Sequence, residues 1–271
     1  GALRDPKFVL TFDELMKNQQ FITLMRTVLQ KLEHHYGRPV DIEFTVGISE
    51  RGPERFTLHL LQCRPQSWHE GGGSIKVPVE EVPQGDIIFL TRRMVPHGKV
   101  RQVRYIVYVD PVTYNRAPNH QTRLEVARLV GRLNKRLEGE RFILMGPGRW
   151  GTSNVDLGLK VTYAEIYNAR ALIEIAQTGT EGAPEVSYGT HFFQDLVESH
   201  IYPVPLYLSH PDTVFNHHFF TETPNALTEL LPQAKEYTPY IKVIDVPAGT
   251  DGRHLDLLMD SVEDVALAYL T

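Results

Sequence analysis

Strands and helices interleave along this chain, and that alternation predicts an α/β protein, with a helix and hairpin at the start and a layered α/β domain after it. Three observations carry the prediction. Ile42, Phe44 and Val46 alternate with Asp41, Glu43 and Thr45, and Phe56, Leu58 and Leu60 alternate with Thr57, His59 and Leu61, so each run suits a strand with one buried face. Short runs rich in β-branched and aromatic residues recur at Asp86–Thr91, Tyr105–Val109 and Phe142–Met145. Between the last two, Leu124, Ala127, Val130, Leu133 and Leu137 recur at helical spacing, with Arg123, Arg128, Arg132 and Arg136 largely off that stripe.

Taken in order, Phe8–Leu10 reads as a short strand, and Phe21, Met25, Val28, Leu29 and Leu32 as a helix that Gly37-Arg38-Pro39 ends. The hairpin follows. From Ser67 to Gly85 the chain carries Gly71-Gly72-Gly73-Ser74 and then Pro78 and Pro83, a composition that packs poorly and reads as a linker. The expected boundaries are 1–68, 69–85 and 86–271. Beyond the helix over about Asn119–Leu137, the runs Leu172–Ile175, Val204–Leu208 and Ile241–Val246 read as strands, and Thr190–His200 and Ser261–Leu270 as helices. There is no internal repeat and no heptad run.

With 271 residues, 42% apolar and 23% charged, the chain is long enough for one large domain or two small ones. Its single cysteine forbids an internal disulfide framework, and no stretch approaches the roughly 20 apolar residues of a membrane span, so the expected setting is a reducing cytoplasm. Net charge is −5 but uneven: Arg92–Arg141 holds twelve Lys or Arg against four Asp or Glu, net +8, leaving −13 elsewhere. A nucleic-acid backbone with Tyr105, Tyr108 and Tyr114 as stacking groups is disfavoured. Those tyrosines sit at strand spacing, the helix arginines are what a solvated face shows, and the whole chain is acidic.

The hairpin carries the clearest chemistry. Glu43 on one strand, with Gln62 and Arg64 near the end of the next, places a Mg²⁺ ligand beside a charge-assisted phosphate clamp. The plainer alternative is an amphipathic hairpin with a surface ion pair. The spelling Asp41-Ile42-Glu43 followed by Leu61-Gln62-Cys63-Arg64-Pro65 resembles the end of the ATP-grasp nucleotide-binding domain of pyruvate phosphate dikinase and phosphoenolpyruvate synthase. Carried over, the resemblance implies ATP and Mg²⁺ as cofactors, Glu43 on the metal with Asp41 in support, and Gln62 and Arg64 on the transferring phosphates. It covers about the first quarter of the chain. The family's upstream nucleotide lobe, phosphohistidine domain and pyruvate-binding barrel have no counterpart here, so the chain reads as a carboxy-terminal piece of a larger kinase, inactive by itself.

A second constellation is Gly146-Pro147-Gly148-Arg149-Trp150-Gly151-Thr152-Ser153, straight after a buried strand, where α/β proteins bind ligands. Gly146, Gly148 and Gly151 let backbone amides face an anion, Arg149 and Thr152 add side-chain donors, and Trp150 offers a stacking face. A tight structural turn with Trp150 in the core is the alternative. The third is His191 and Asp195, four apart on a helix that Thr190 or Ser187 can cap. They read as an acid/base pair, part of a metal site with Glu198 or His200, or a bond that fixes the helix. The last two runs resemble the carboxy-terminal extension of some bacterial pyruvate phosphate dikinase-like proteins, a likeness that assigns no reaction.

The expected partners are therefore a nucleotide, an anionic small molecule and the rest of the same polypeptide, with no membrane and no nucleic acid. A non-catalytic domain that senses a phosphorylated or carboxylate metabolite is the second reading.

Overall fold

A computed structural model describes residues 12–37, 39–49, 56–65, 75–176 and 186–271. The strand expected at Phe8–Leu10 and the glycine run at 71–74 lie outside them. The chain divides into two compact units, 1–68 and 69–271.

In the first unit a short helix, α1 (Asp13–Met16), leads into α2 (Gln19–Tyr36). Asn18 starts α2 because its side-chain oxygen accepts from the amides of Gln20 and Phe21 at 3.0 and 3.2 Å, satisfying two of the donors a helix start leaves open. Gly37 ends it at φ 68°, a left-handed conformation in which other side chains are strained. Strands β1 (Val40–Ile48) and β2 (Phe56–Pro65) then pair antiparallel. The Phe21 ring packs 5.8 Å from Phe56, seating the helix against the ribbon's apolar face.

The register of that hairpin decides what each face carries. Asp41 stands opposite Arg64 and Glu43 opposite Gln62, and the pairing then slips so that Phe44 stands opposite Leu60. Leu61 is the extra residue of a β-bulge. Side chains alternate faces with period two, so one inserted residue exchanges the faces for everything beyond it. Phe56, Leu58 and Leu60 thus stay level with Ile48, Val46 and Phe44, while positions 62 and 64 move to the side of Glu43 and Asp41.

The second unit contains two five-stranded sheets. Its elements are β3 (Ile87–Thr91), β4 (Gly98–Val103), β5 (Tyr105–Val109), α3 (Pro111–Asn115), α4 (His120–Arg136), β6 (Phe142–Pro147), β7 (Ala171–Ala176), α5 (His191–Glu198), β8 (Tyr202–Tyr207), β9 (Val214–Phe215), α6 (His217–Glu222), α7 (Leu227–Leu230), β10 (Ile241–Asp245), α8 (Val246–Gly249), β11 (Leu255–Asp260) and β12 (Val265–Leu270). One sheet has the order β10-β5-β6-β7-β8, in which β5 to β8 run parallel and β10 is antiparallel at the edge. The other, β4-β11-β12-β3-β9, is antiparallel throughout.

Alternation along each parallel strand builds the layers. Tyr105, Val107, Val109, Phe142, Leu144 and Leu172 point to a core shared with Val126, Leu129, Val130 and Leu133 of α4. Ile106, Tyr108, Ile143, Met145, Ile173 and Ile175 point the other way, against Leu255, Leu257, Met259, Ala266 and Ala268 of the antiparallel sheet. With both faces covered, these strands are the continuous apolar runs that made them legible. Each large aliphatic chain buried there contributes roughly 1.5–3 kcal/mol before the entropy of ordering it.

Two sequence expectations change. Ser261–Leu270 is not a helix: Val265–Leu270 forms β12, with Val265 and Leu267 against one core and Ala266, Ala268 and Leu270 against the other. The preceding turn is fixed by Asp260, whose side chain accepts from the amides of Val262 and Glu263, and by Asp264 at φ 49°. Helix-favouring alanines yield here to burial on both faces of a hairpin. Within the stretch expected as linker, 75–86 is described, and Val77, Val79 and Val82 pack against Ile87, Leu90, Val265 and Leu267.

Candidate functional site

Two regions gather the chemistry that the sequence singled out. The first is the bulged face of the hairpin. Asp41 and Glu43 are exposed and two apart on β1, hence on one face, and the register puts Gln62 directly opposite Glu43 and position 64 opposite Asp41. Cys63 falls on the other face, opposite Ile42, as a half-buried free thiol. Among the described residues no group of three or more His, Cys, Asp or Glu is placed to hold a metal. Two carboxylates suit Mg²⁺, which keeps several waters and takes its other ligands from substrate phosphates; they do not suit an all-protein site.

The second region is the edge of the parallel sheet where β5, β6, β7 and β8 end. The glycine-rich run leaves β6 there, and two of its glycines, with Gly158 beyond it, have no room for a side chain. A Cβ on Gly146 would meet the Trp150 ring at 2.9 Å, one on Gly151 the Phe192 ring at 2.3 Å, and one on Gly158 the Arg149 carbonyl oxygen at 2.1 Å. Trp150 is fully buried, so it is a core residue and offers no stacking face.

The amides of this run are already engaged. Those of Gly148, Arg149 and Gly151 donate to the carbonyls of Ile175, Leu157 and Leu159 at 2.9, 2.8 and 3.0 Å. The Trp150 amide donates to Glu174 Oε1 at 2.9 Å. An anion here would therefore be gripped by side chains: the half-buried Arg149, whose guanidinium has no hydrogen-bond or ion-pair partner among the described residues, and the Thr152 hydroxyl, which accepts from the Asn154 amide.

Glu174 is the residue the sequence reading missed. It is 3% exposed, points to the helix side of the sheet from β7, and receives the Trp150 amide on Oε1 and the Ser187 amide on Oε2 at 2.7 Å. Burial pushes its carboxyl up to about 7, against the opposing pull of the two amides, the nearby Ser187 side chain and the Arg149 charge. The Ser187 hydroxyl lies beside the carboxylate without reaching hydrogen-bond geometry, and it and Trp150 Nε1 are buried polar atoms with no partner among the described residues. A signal was available: Glu174 is the only charge in Ala171–Ala176, and a lone carboxylate inside a buried strand demands a reason.

His191 and Asp195 lie on the first and second turns of α5 and are both exposed. Thr190 caps that helix, its hydroxyl accepting from the Phe193 amide at 3.2 Å. His217 and His218 are exposed on α6, while Phe219 and Phe220 beside them are buried. Several cations of the basic run Arg92–Arg141 have acidic partners. Arg101 pairs with Asp256, Arg104 with Glu140 and Asp245, Arg123 with Asp156 and Arg128 with Glu125, so these four are met locally. No described helix is long and apolar enough to cross a membrane.

Residues 7–81 match a family model described as pyruvate phosphate dikinase, AMP/ATP-binding domain. The match spans somewhat more than the first quarter of the chain and includes the whole hairpin. It supports the likeness read from Asp41–Glu43 and Leu61–Pro65 and does not extend to 82–271. No curated protein and no solved structure matches the chain.

Proposed function

We propose that this chain is the carboxy-terminal part of an ATP-dependent phosphotransferase of the phosphoenolpyruvate synthase or pyruvate phosphate dikinase type, working in the cytoplasm. The first unit supplies the hairpin that closes the nucleotide site, and the second holds a small anion. One observation carries the reading: within the segment that resembles an AMP/ATP-binding domain, the Leu61 bulge turns Gln62 and position 64 to the face of Asp41 and Glu43.

In the complete protein Glu43, supported by Asp41, would hold Mg²⁺, which neutralises charge on the nucleotide's phosphates when bound. Gln62 donates its amide to a phosphate oxygen. Arg64 grips two oxygens at once and stabilises the charge that develops as the phosphoryl group transfers. The hairpin alone encloses no nucleotide, so the isolated chain is expected to be inactive.

For the second unit, a metabolite-sensing role is favoured by one finding. His191 and Asp195 are exposed on α5, whereas the loop amides at the sheet edge are engaged in holding loops together. Saturable binding without turnover would support sensing; turnover lost in His191→Ala or Asp195→Ala would restore them as catalytic groups.

The phosphotransfer reading is tested in the full-length protein with Arg64→Ala. Losing one such transition-state contact should slow ATP-dependent phosphotransfer on the order of a hundredfold. An unchanged rate with the fold intact would refute the assignment.

A further inference from the structure

We propose that the parallel-sheet edge binds a small dianion, of the phosphate or phosphomonoester class, together with a proton, with Arg149 gripping the anion and Glu174 holding the proton. The inference rests on the reading of Arg149 as an anion ligand and adds the coupling partner.

The geometry supplies the coupling. The residue next to Arg149 is tied to Glu174 through the Trp150 amide, and the same carboxylate reaches the Ser187 amide ahead of α5. A charged Glu174 therefore sits under the loop from which Arg149 projects. Without an anion, Arg149 partly offsets the buried negative charge. A dianion on Arg149 removes that help and adds repulsion in a water-poor setting, so the carboxyl takes a proton instead of remaining an unpaired buried charge.

The charged and titratable groups facing Glu174 agree with this assignment. From the loop after β6 there is Arg149, and from β8 there is Tyr207, whose phenol burial holds neutral and whose ring lies under the Arg93 guanidinium at 4.5 Å. Arg93 is thereby a second cation near the same edge. The buried, unpartnered Ser187 hydroxyl can donate to the charged carboxylate or accept from the protonated carboxyl, so it serves either state. A protonated Glu174 keeps one good acceptor oxygen for the two amides, so binding also loosens one of the two loop attachments.

Sulfate is the appropriate probe, since it is a dianion with no proton of its own near neutral pH. Its affinity for the whole chain, measured by titration calorimetry from pH 6 to 9, should fall about tenfold per pH unit above the titration of Glu174. In buffers of different ionisation enthalpy at pH 8, binding should take up close to one proton. Glu174→Gln should bind sulfate with affinity flat in pH, and Arg149→Ala should lose most binding at every pH.

If Glu174→Gln does not fold, the wild-type proton uptake decides alone. Binding without proton uptake would overturn the coupling and leave the anion site standing. No binding at millimolar sulfate at pH 6, where the site is most receptive, would remove the anion site and the inference with it.

Discussion

The hairpin of the first unit and the sheet edge of the second both bring acidic and basic groups together, yet they do so under opposite conditions. On the hairpin Asp41 and Glu43 stand exposed, and only Phe21 and Val40 are buried among the first unit's described residues. At the sheet edge Glu174, Trp150 and Ser187 are buried, and the loop amides are fixed to defined acceptors. An exposed polar face on a thin core stays in water, where its charges contribute little to stability and remain accessible to a ligand. A buried edge uses its polar groups first to hold its loops, and ligand binding there must act through that network.

The largest expected effect probes the rigid side of this contrast. Gly158→Ala would drive a Cβ to 2.1 Å from the Arg149 carbonyl oxygen and 2.6 Å from its nitrogen, both backbone atoms with no room to yield. It should cost about 3 kcal/mol or more and lower the second unit's melting temperature by roughly 10 °C. A melt within 2 or so degrees of wild type (about 1 kcal/mol or less) would show that the loop is looser than its hydrogen bonds imply.

The next effect comes from pH. Folded Glu174 keeps its proton up to about 7, whereas the unfolded chain releases it near the ordinary 4.5. The folded state thus binds the extra proton between those values. This contribution is complete below about 4.5, declines as pH rises toward 7 and is level above, a span of roughly 3 kcal/mol at about 1.4 per unit. Urea unfolding at pH 5.5 and 8 should therefore give a smaller difference for Glu174→Gln than for wild type. Equal differences would mean that the carboxyl titrates normally and the edge is wetter than described.

The smallest stability effect belongs to the hairpin, where function should respond instead. Leu61 is 65% exposed, so Leu61→Ser should change stability by no more than about 0.5 kcal/mol. Deleting Leu61 removes the bulge, and either Gln62 and Arg64 or the Phe56–Leu60 run must then change face. ATP-dependent phosphotransfer by the full-length protein should survive the substitution and be lost on deletion. Survival of both would show that the bulge does not set the face.

These contrasts also explain what the sequence made legible. The hairpin pairing of Glu43 with Gln62 was readable because alternating polarity and turn-bounded strands report exposed faces directly, and the bulge was not, since Leu61 at a polar position reads as one exposed leucine on an unbroken strand. β5, β6, β7 and α4 were readable from apolar runs and a helical stripe. β12 was not, because Val265–Leu270 has helix-forming alanines and its strand character comes from its hairpin partner Leu255–Asp260 together with the distant Ile87–Thr91. The glycines of 146–151 signalled a tight loop correctly, but their neighbours' acceptors lie at Leu157, Leu159, Glu174 and Ile175, which local sequence does not reveal.

Hydrogen exchange of the full-length protein with and without MgATP tests most directly whether the hairpin is the nucleotide-facing region. New protection is expected in peptides covering 40–48 and 56–65, with 142–151 and 171–176 unchanged until a phosphate-like anion is added. Protection by MgATP confined to 142–151 and 171–176, with the hairpin unchanged, would contradict a nucleotide-facing hairpin.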